Sequence, residues 1–238
     1  MHRFFIPSPK ITKKLITIND HRIIFQISKV LRMWKGDKFN IFDEKGEEHT
    51  VEIIDMNKRK IIGNILEKIK NHNEPKLKVS LYQAIPKKPA LFEWVIQKAT
   101  EIGVTEIYPL ITERTEKRKI TKFDRLYLIA MEAAEQCGRL KIPTIHHPVV
   151  LEDELPKLSN GFIAYEYEQK KFLSDYDKEL YKNDECQIII GPEGGLSQKE
   201  IEITQKSKVK PFTFGNRILR TETAAIAALS QILLQKNK

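Results

Sequence analysis

A strand–helix–strand pattern that begins at residue 77 limits the folds open to this chain more than any other part of its sequence. The apolar run 77–84 predicts a buried strand, residues 88–102 carry apolar side chains at helical spacing, and residues 104–110 predict a second strand. Gly103 stands where a helix ends in a left-handed residue. Because strands joined through a helix run parallel in one sheet, the pattern predicts an α/β fold with a largely parallel sheet.

The same alternation continues to the C-terminus. Further strands are predicted at 161–165, 187–190 and 210–214, and further helices at 122–137, 197–207 and 221–235. Ser197 and Glu200 form the Ser-x-x-Glu pattern of a capping box, which fixes the start of the second of these helices. The helix 122–137 is expected to end near Gly138.

Residues 10–69 have a different pattern, with short alternating strands separated by turn residues. Strands are predicted at 39–42, 50–54 and 60–66, and apolar residues at 23, 27, 30 and 31 predict one helix. Strands this short and closely spaced predict a small barrel or sandwich. The polar segment 71–75 breaks the pattern, so we expect two domains, at 1–72 and 73–238.

Charge is segregated along the chain, whose formal net charge is +9. Residues 1–72 hold 15 Lys or Arg against 9 Asp or Glu, and residues 114–141 hold 8 against 4, whereas residues 150–186 hold 5 against 10. Two separate basic regions are typical of a protein that binds nucleic acid, although a basic excess alone is a weak indication.

Several classes of protein are excluded by composition and spacing. No stretch approaches the roughly 18–20 apolar residues of a membrane span, and the N-terminus lacks the apolar segment of a signal peptide, so we expect a cytoplasmic protein without a membrane partner. Cys137 and Cys186 stand apart from each other and from any Cys/His spacing typical of zinc. We therefore expect neither a disulfide framework nor a metal site.

Two glycine-bearing loops carry the strongest indication of a ligand site. Residues 191–197, Gly-Pro-Glu-Gly-Gly-Leu-Ser, and 215–223, Gly-Asn-Arg-Ile-Leu-Arg-Thr-Glu-Thr, each lie between a predicted strand and a predicted helix, where open α/β sheets hold ligands. Neither loop has the spacing of a Walker loop or of a dinucleotide fingerprint, which excludes both common nucleotide folds. The first loop alone is also compatible with a simple helix-capping turn. The second concentrates two arginines, a glutamate and two threonines, an inventory that a plain turn rarely needs.

The last helix is apolar on nearly every side over residues 224–229, Ala-Ala-Ile-Ala-Ala-Leu. A helix without a polar face must be covered all round. Two alternatives remain open, a central core helix or a helix that packs both on its own sheet and on a partner subunit.

Residues 191–197 together with Leu219-Arg-Thr-Glu-Thr-Ala-Ala225 resemble the paired motifs of RsmE-type ribosomal RNA uracil-N3-methyltransferases, members of the SPOUT class. Four other stretches match in order: Val30-Leu-Arg32 with Gly36-Asp37, residues 97–103, Glu113-Arg114 and Glu135-Gln-Cys-Gly-Arg139. The resemblance spans nearly the whole chain. One departure is Asn216, where the family commonly has proline.

The resemblance implies a SPOUT α/β methyltransferase domain with a trefoil knot, preceded by a small PUA-like β-barrel, in a homodimer. It also implies S-adenosylmethionine as cofactor, bound among three loops. The implied cofactor-binding residues are Tyr165, Glu166, Gly191, Pro192, Glu193, Gly194, Gly195, Leu196, Phe214, Gly215, Ile218, Leu219, Arg220, Thr221, Thr223 and Ala224.

The implied substrate is ribosomal RNA or the small ribosomal subunit. Arg220 is the first candidate for orienting the uracil and stabilising its charge, with Glu222 or Glu193 as base or water-orienting group, although each also fits a structural role. Candidate RNA contacts are Arg3, Arg32, Lys35, Arg114, Arg118, Gln136 and Arg139. Two other functions remain open, ribose 2′-O-methylation and RNA binding without catalysis. The Ser-Leu-Asn-x-Ser pattern of the 2′-O-methylating enzymes is absent from the last loop.

Overall fold

The computed structural model describes residues 1–7, 9–70 and 73–234. The chain forms two compact units, the N-terminal unit of Met1–Glu74 with Ala134–Lys141, and the C-terminal unit of Pro75–Ala133 with Ile142–Lys238. The expected domain boundary at residue 72 and the expected last helical residue, Gln235, lie outside the described residues. The return of residues 134–141 to the N-terminal unit was not expected from the sequence.

The N-terminal unit is built on one six-stranded sheet. Its strands are β1 (Arg3–Phe5), β2 (Ile11–Thr12), β3 (Leu15–Ile18), β4 (Lys38–Phe42), β5 (Glu48–Met56) and β6 (Ile61–Ile69). Their order in the sheet is β1-β4-β5-β6-β3-β2, antiparallel except for the parallel pair of β1 and β4. The three strands expected from the sequence are present as β4, β5 and β6, whereas β1, β2 and β3 are too short to show a periodic pattern.

Alternation along these strands encloses an apolar core. Phe4, Ile16, Phe39, Val51 and Ile61 are among its fully buried side chains. Register shifts in β5 mark bulges, which bend and twist a strand.

The helix expected near residues 23–31 divides into α1 (His21–Phe25) and a π-helical turn, Gln26–Val30. Asp20 caps α1 by accepting a 2.8 Å hydrogen bond from the Arg22 amide. Ile23 and Ile27 are buried as expected, but Val30 is exposed. The wider π turn rotates each later side chain relative to α-helical spacing, so Val30 leaves the buried face.

Residues 134–141 are held in the N-terminal unit by two carboxylates. Glu135 Oε1 accepts a 2.8 Å hydrogen bond from the Phe5 amide and pairs with Arg22 at 3.2 Å. Glu74 pairs with Arg139 at 2.8 Å and accepts from the Leu140 and Lys141 amides. These bonds satisfy buried polar groups, which is the condition for placing charges inside a fold.

The C-terminal unit contains a seven-stranded parallel sheet. Its strands are β7 (Lys78–Ala84), β8 (Glu106–Ile111), β9 (Thr144–Ile145), β10 (Val149–Val150), β11 (Gly161–Ala164), β12 (Glu185–Ile190) and β13 (Lys210–Phe212). The main order is β10-β8-β7-β12-β11-β13, with β9 also paired to β8. The expected parallel sheet is confirmed.

The helices alternate with these strands; the four with nine or more residues were expected from the sequence, and the two four-residue helices were not. They are α2 (Pro89–Ile102), α3 (Phe123–Cys137), α4 (Leu151–Glu154), α5 (Asp177–Leu180), α6 (Gln198–Lys206) and α7 (Thr221–Leu233). Gly103 ends α2 with φ 115°, and Ser197 and Glu200 form the expected capping box at α6. Short helical turns are also present at Leu155–Lys157 and Leu173–Tyr176.

The helix α7 packs against α2 and against strands β7 and β12 in the middle of the sheet. Ala225, Ala228 and Leu229 are fully buried within this chain, and Ile226 and Ala227 are half-buried. The chain itself therefore covers one face of α7. Within the described ranges, no helix is long and apolar enough to cross a membrane.

Candidate functional site

The strand register of the C-terminal unit aligns four strand ends in one row. Gln83 of β7 is opposite Ile190 of β12, and Ala164 of β11 is opposite Phe212 of β13. Strand β11 pairs with both β12 and β13, so the carboxyl ends of all four strands meet at the same edge. The loops that follow β11, β12 and β13 begin side by side there, which is where parallel sheets bind ligands.

A single hydroxyl joins the two glycine-bearing loops. Thr221 Oγ1, at the start of α7, donates a 2.6 Å hydrogen bond to the carbonyl oxygen of Gly191. Thr221 Oγ1 also accepts a 2.8 Å hydrogen bond from Gln83 Nε2. Thr221 and Gln83 are buried, so these bonds form away from water, where a lost partner is costly.

Gln83 is a site residue that the sequence analysis missed. It is fully buried at the end of β7, and its Oε1 has no hydrogen-bond partner in the part of the chain that the structure describes. The signal was present in the sequence, because a glutamine near the end of an apolar strand must find polar partners. Its amide orients Thr221 and leaves one acceptor at the sheet edge.

The loop after β12 is shaped by Gly195, which has φ +68°. Its amide donates a 2.9 Å hydrogen bond to Pro192 O, closing a tight turn. A Cβ at Gly195 would collide with Oε1 of Glu166, from the loop after β11. Glycine therefore lets the Glu166 carboxylate approach the backbone of the neighbouring loop, as a cradle for a bound molecule requires.

Two neighbouring segments hold the outer side of that loop. Arg114 donates a 2.7 Å hydrogen bond to Gly194 O, and Glu193 Oε1 accepts a 3.0 Å hydrogen bond from the Lys87 amide. Inside the loop, buried Glu200 accepts hydrogen bonds from the Ser197 and Glu113 amides. Glu200 was expected only as a cap, and its second bond also ties α6 to the loop after β8.

The loop after β11 contributes an aromatic pair. Tyr165 and Tyr167 have ring centroids 5.6 Å apart, and the Tyr165 amide donates to Phe212 O at 3.0 Å. Burial, followed by the nearby Glu166 carboxylate, raises the pKa of the Tyr165 phenol above its usual value. Tyr165 therefore stays neutral at physiological pH and offers a ring face and a hydroxyl.

The loop after β13 carries both buried and exposed candidates. Gly215 has φ +88° and lies against the Phe172 ring, while Phe214 and Leu219 are half-buried and pack against the core. Ile218 is 86% exposed, and Thr223 is exposed on α7. The expected cofactor residues thus lie on three adjoining loops and in the first turn of α7, and their individual roles stay predictions.

The three expected catalytic residues differ in their surroundings. Arg220 is the exposed N-cap residue of α7, and among the described residues its side chain has no ion pair or hydrogen bond. Glu222 is 9% exposed in the first turn of α7, where the helix dipole favours its negative charge. Glu193 is exposed and bound to the Lys87 amide. Arg220 is therefore free to meet a substrate.

The expected RNA contacts divide into exposed and buried groups. Arg32, Lys35, Arg114, Arg118 and Gln136 are exposed. Arg3 instead pairs with Glu48 at 2.7 Å and donates to the Ala134 and Arg139 carbonyls, and Arg139 is 4% exposed and bound to Glu74. The structure engages the guanidinium groups of Arg3 and Arg139 in packing within the chain, and a role of these two residues in RNA binding stays a prediction.

Within residues 1–7, 9–70 and 73–234, no cluster of three or more His, Cys, Asp or Glu side chains could hold a metal ion. The chemistry available at the sheet edge is that of backbone groups, aromatic rings, carboxylates and the two exposed arginines Arg217 and Arg220.

Residues 72–233 match the family described as RNA methyltransferase domain, and residues 27–66 match the RNA methyltransferase PUA domain. Together with the parallel sheet and its joined loops, these matches define the class, a PUA-containing RNA methyltransferase. Ribosomal RNA small subunit methyltransferase E of Rickettsia conorii is 32% identical over 93% of this chain and 90% of its own length. The chain belongs to the ribosomal RNA small subunit methyltransferase E family, which confirms the resemblance.

The relative from Bacillus subtilis is also 32% identical, over 89% of this chain and 87% of its own length. Among solved structures, ribosomal RNA small subunit methyltransferase E from Neisseria gonorrhoeae, bound to S-adenosyl methionine, has a TM-score of 0.87 at 29% identity. The structural match spans 97% of this chain and 96% of the Neisseria gonorrhoeae chain. A methyltransferase from Legionella pneumophila, in complex with SAM, has a TM-score of 0.85 at 34% identity over the same shares.

Proposed function

We propose that this protein transfers a methyl group from S-adenosylmethionine to N3 of a uridine in the RNA of the small ribosomal subunit. The observation that carries the proposal is the Thr221–Gly191 hydrogen bond, which joins the two family motifs into one loop cluster at the sheet edge. The family to which the chain belongs supplies the reaction class.

The residues present fit this cofactor. Gly195 leaves room for the Glu166 carboxylate beside the loop, and a carboxylate there can accept hydrogen bonds from ribose hydroxyls. The Gly191–Leu196 backbone offers amide and carbonyl groups, with positive φ allowed by glycine. The half-buried Leu219 and Phe214 provide apolar contact for the adenine ring.

When bound, S-adenosylmethionine supplies a methyl group whose bond to sulfur breaks, with the electron pair left on sulfur, as the bond to N3 forms. The uracil must first lose its N3 proton, and negative charge then spreads over its carbonyl oxygens. The uracil must also be unpaired, because N3 lies on its pairing edge.

Arg220 is the residue we assign to the uracil. Its position at the N-terminus of α7 adds the helix dipole to a free guanidinium, and both stabilise developing negative charge. Glu222 or Glu193 accepts the N3 proton, directly or through a water molecule. Glu222 is the better placed of the two, since Glu193 is already bound to the Lys87 amide.

RNA contact is assigned to the exposed residues Arg32, Lys35, Arg118 and Gln136, with Arg114 also available at the cofactor loop. Neutralising several phosphates releases counterions, so binding weakens steeply as salt rises.

The proposal extends to three features of the family. The chain works as a homodimer, in which half-buried Ile226 and Ala227 and exposed Ile218 contact the partner. Its C-terminal segment is threaded as a trefoil knot, in keeping with the return of α7 from the edge strand β13 to the central strands β7 and β12. The site of action is the cytoplasm, where ribosomal subunits are assembled.

The test is transfer of labelled methyl from S-adenosylmethionine to small ribosomal subunits that lack the modification, followed by mass spectrometry of the nucleosides. The expected product is N3-methyluridine. Arg220→Ala should abolish transfer while S-adenosylmethionine still binds, and Arg217→Ala, at a neighbouring exposed arginine, is the matched control. Formation of 2′-O-methyluridine would overturn base methylation, and unchanged turnover by Arg220→Ala would overturn the role of that arginine.

A further inference from the structure

Exposed large apolar side chains are concentrated in one part of the N-terminal unit. Apart from Met1, the large apolar side chains that are at least 60% exposed in its described residues all lie between positions 25 and 34. They are Phe25 at 62%, Val30 at 60% and Trp34 at 73%. Single exposed apolar residues are normal on a protein surface, but three within ten residues mark a site of interaction.

The backbone holds Trp34 in a fixed turn. Its amide donates a 2.7 Å hydrogen bond to Asp37 Oδ2, and the Asp37 amide donates back to Trp34 O at 3.1 Å. Gly36, with φ +93°, donates to Ile53 O at 2.8 Å, and neighbouring Met33 is buried in the core. The indole is therefore presented to solvent on a rigid support, which lowers the entropy lost when a ligand stacks on it.

The sequence around Trp34 is basic, and the carboxylate nearest to it in sequence, Asp37, is engaged through Oδ2 with the Trp34 amide. Residues 21–36 contain no Asp or Glu, whereas Lys29, Arg32 and Lys35 are exposed. In the described part of the chain, none of these three cations forms an ion pair with a carboxylate. Arg32 has φ 53°, a left-handed conformation that is uncommon for a residue with a side chain and is found enriched at functional sites.

We propose that Trp34 is a stacking platform for an unpaired base of single-stranded RNA, and that Lys29, Arg32 and Lys35 bind the flanking phosphates. The proposal rests on the proposed function only in that the substrate is RNA. An aromatic ring among unpaired cations is the arrangement that binds single strands, since every base has a face that stacks. An apolar protein partner fits less well, because Lys29 and Arg32 stand between the apolar residues in sequence and, with Lys35, would have to be desolvated.

Fluorescence can follow Trp34 directly, because the chain has two tryptophans and the other, Trp94, lies in α2. In the full-length Trp94→Phe variant, a ten-nucleotide mixed-sequence RNA without self-complementarity should quench the emission saturably. The blunt duplex of the same sequence should quench it much less. Trp34→Ala should weaken binding of the single strand about 5- to 150-fold, the range for removing one stacked base, and Trp34→Phe should retain most of the affinity.

Trp94→Ala is the matched control, since it removes a partly exposed tryptophan from the C-terminal unit, and it should leave RNA affinity unchanged. Circular dichroism should show that Trp34→Ala folds, because the side chain it removes lies outside the core. In methyl transfer, Trp34→Ala should raise the KM for ribosomal subunits and leave both kcat and S-adenosylmethionine affinity unchanged.

Unaltered Trp34 emission at saturating RNA, or no RNA binding at low salt, overturns the proposal. So does a blue shift that depends on protein concentration alone, which would assign the surface to a second copy of the chain. Failure of the proposed function looks different, since quenching by RNA would then persist while no methyl group is transferred.

Discussion

Thr221 Oγ1 lies 2.6 Å from the carbonyl oxygen of Gly191, to which it donates, and 2.8 Å from Gln83 Nε2, from which it accepts. One hydroxyl therefore connects the end of β7, the loop after β12 and the first residue of α7. The two motifs lie thirty residues apart in sequence, and this bond is what makes them one site.

Replacing Thr221 by valine keeps the shape of the side chain and removes the hydroxyl. Gly191 O and Gln83 Nε2 then lose a buried partner, and we expect the free energy of unfolding to fall by about 1–3 kcal/mol. The dissociation constant for S-adenosylmethionine should rise as well, because the two loops are no longer joined. Denaturant unfolding and calorimetry measure the two effects. Thr221→Ser retains the hydroxyl and should have nearly the stability and cofactor affinity of the wild type. If Thr221→Val also matched the wild type in both, the hydrogen bond would contribute to neither.

Replacing Gly195 by alanine should weaken cofactor binding for a steric reason. The added Cβ would meet the Glu166 carboxylate, and the residue would keep an unfavourable φ of +68°. Gly36→Ala is the matched control, because Gly36 also has a positive φ but has no atom within 4 Å of the added Cβ. Both variants should lose about 1 kcal/mol of stability, and only Gly195→Ala should lose affinity for S-adenosylmethionine.

A double variant tests the same contact more sharply. Adding Glu166→Ala to Gly195→Ala removes the collision, so the combined loss of affinity should be smaller than the sum of the single losses. Strict additivity would mean that Glu166 and Gly195 do not interact at the site.

Arg139→Ala should lower the stability of the protein and should have little direct effect on RNA affinity. The side chain is 5% exposed and bound to Glu74, whose carboxylate would be left in a largely buried place. We expect a loss of roughly 2–4 kcal/mol in the N-terminal unit. Arg118→Ala, at an exposed position, should change stability by less than about 0.5 kcal/mol and weaken RNA binding. If Arg139→Ala were as stable as the wild type but bound RNA weakly, Arg139 would be assigned to direct RNA contact.

The two cysteines should differ strongly in reactivity. Burial, and to a smaller extent the Glu185 carboxylate, raises the pKa of the Cys186 thiol to about 12. The thiolate is the reactive form of a cysteine. At pH 8 iodoacetamide should modify half-buried Cys137 well before Cys186, and both should react alike in urea. Between pH 8 and 10 the rate at Cys186 should keep rising, since a raised pKa leaves the thiol protonated there. Peptide mass spectrometry gives both rates, and similar native rates would contradict the burial.

The parallel sheet and the candidate loops could be predicted from the sequence because long apolar runs and helical spacing are strong local signals. Strands β7, β8 and β12, helices α2 and α3 and the Ser197 cap follow from residues close to one another in the chain. The resemblance of the two loop motifs to one family carried the functional prediction.

Features that depend on distant residues could not be predicted in the same way. Glu135 and Arg139 belong to a motif that suggested the active site, yet they bond to Phe5 and Glu74, which are more than sixty residues away. The sequence could indicate that Gln83 needs a polar partner, but that this partner is Thr221 was evident only in the structure. Val30 is exposed because of a π turn that apolar spacing cannot indicate.

Isothermal titration of the full-length protein with S-adenosylmethionine tests most directly whether the joined loops form the cofactor site. We expect saturable binding at one site per chain, weakened in Thr221→Val and Gly195→Ala and unchanged in Thr221→Ser and Gly36→Ala. Absence of binding by the wild-type protein, or equal affinity in all five proteins, would contradict this expectation.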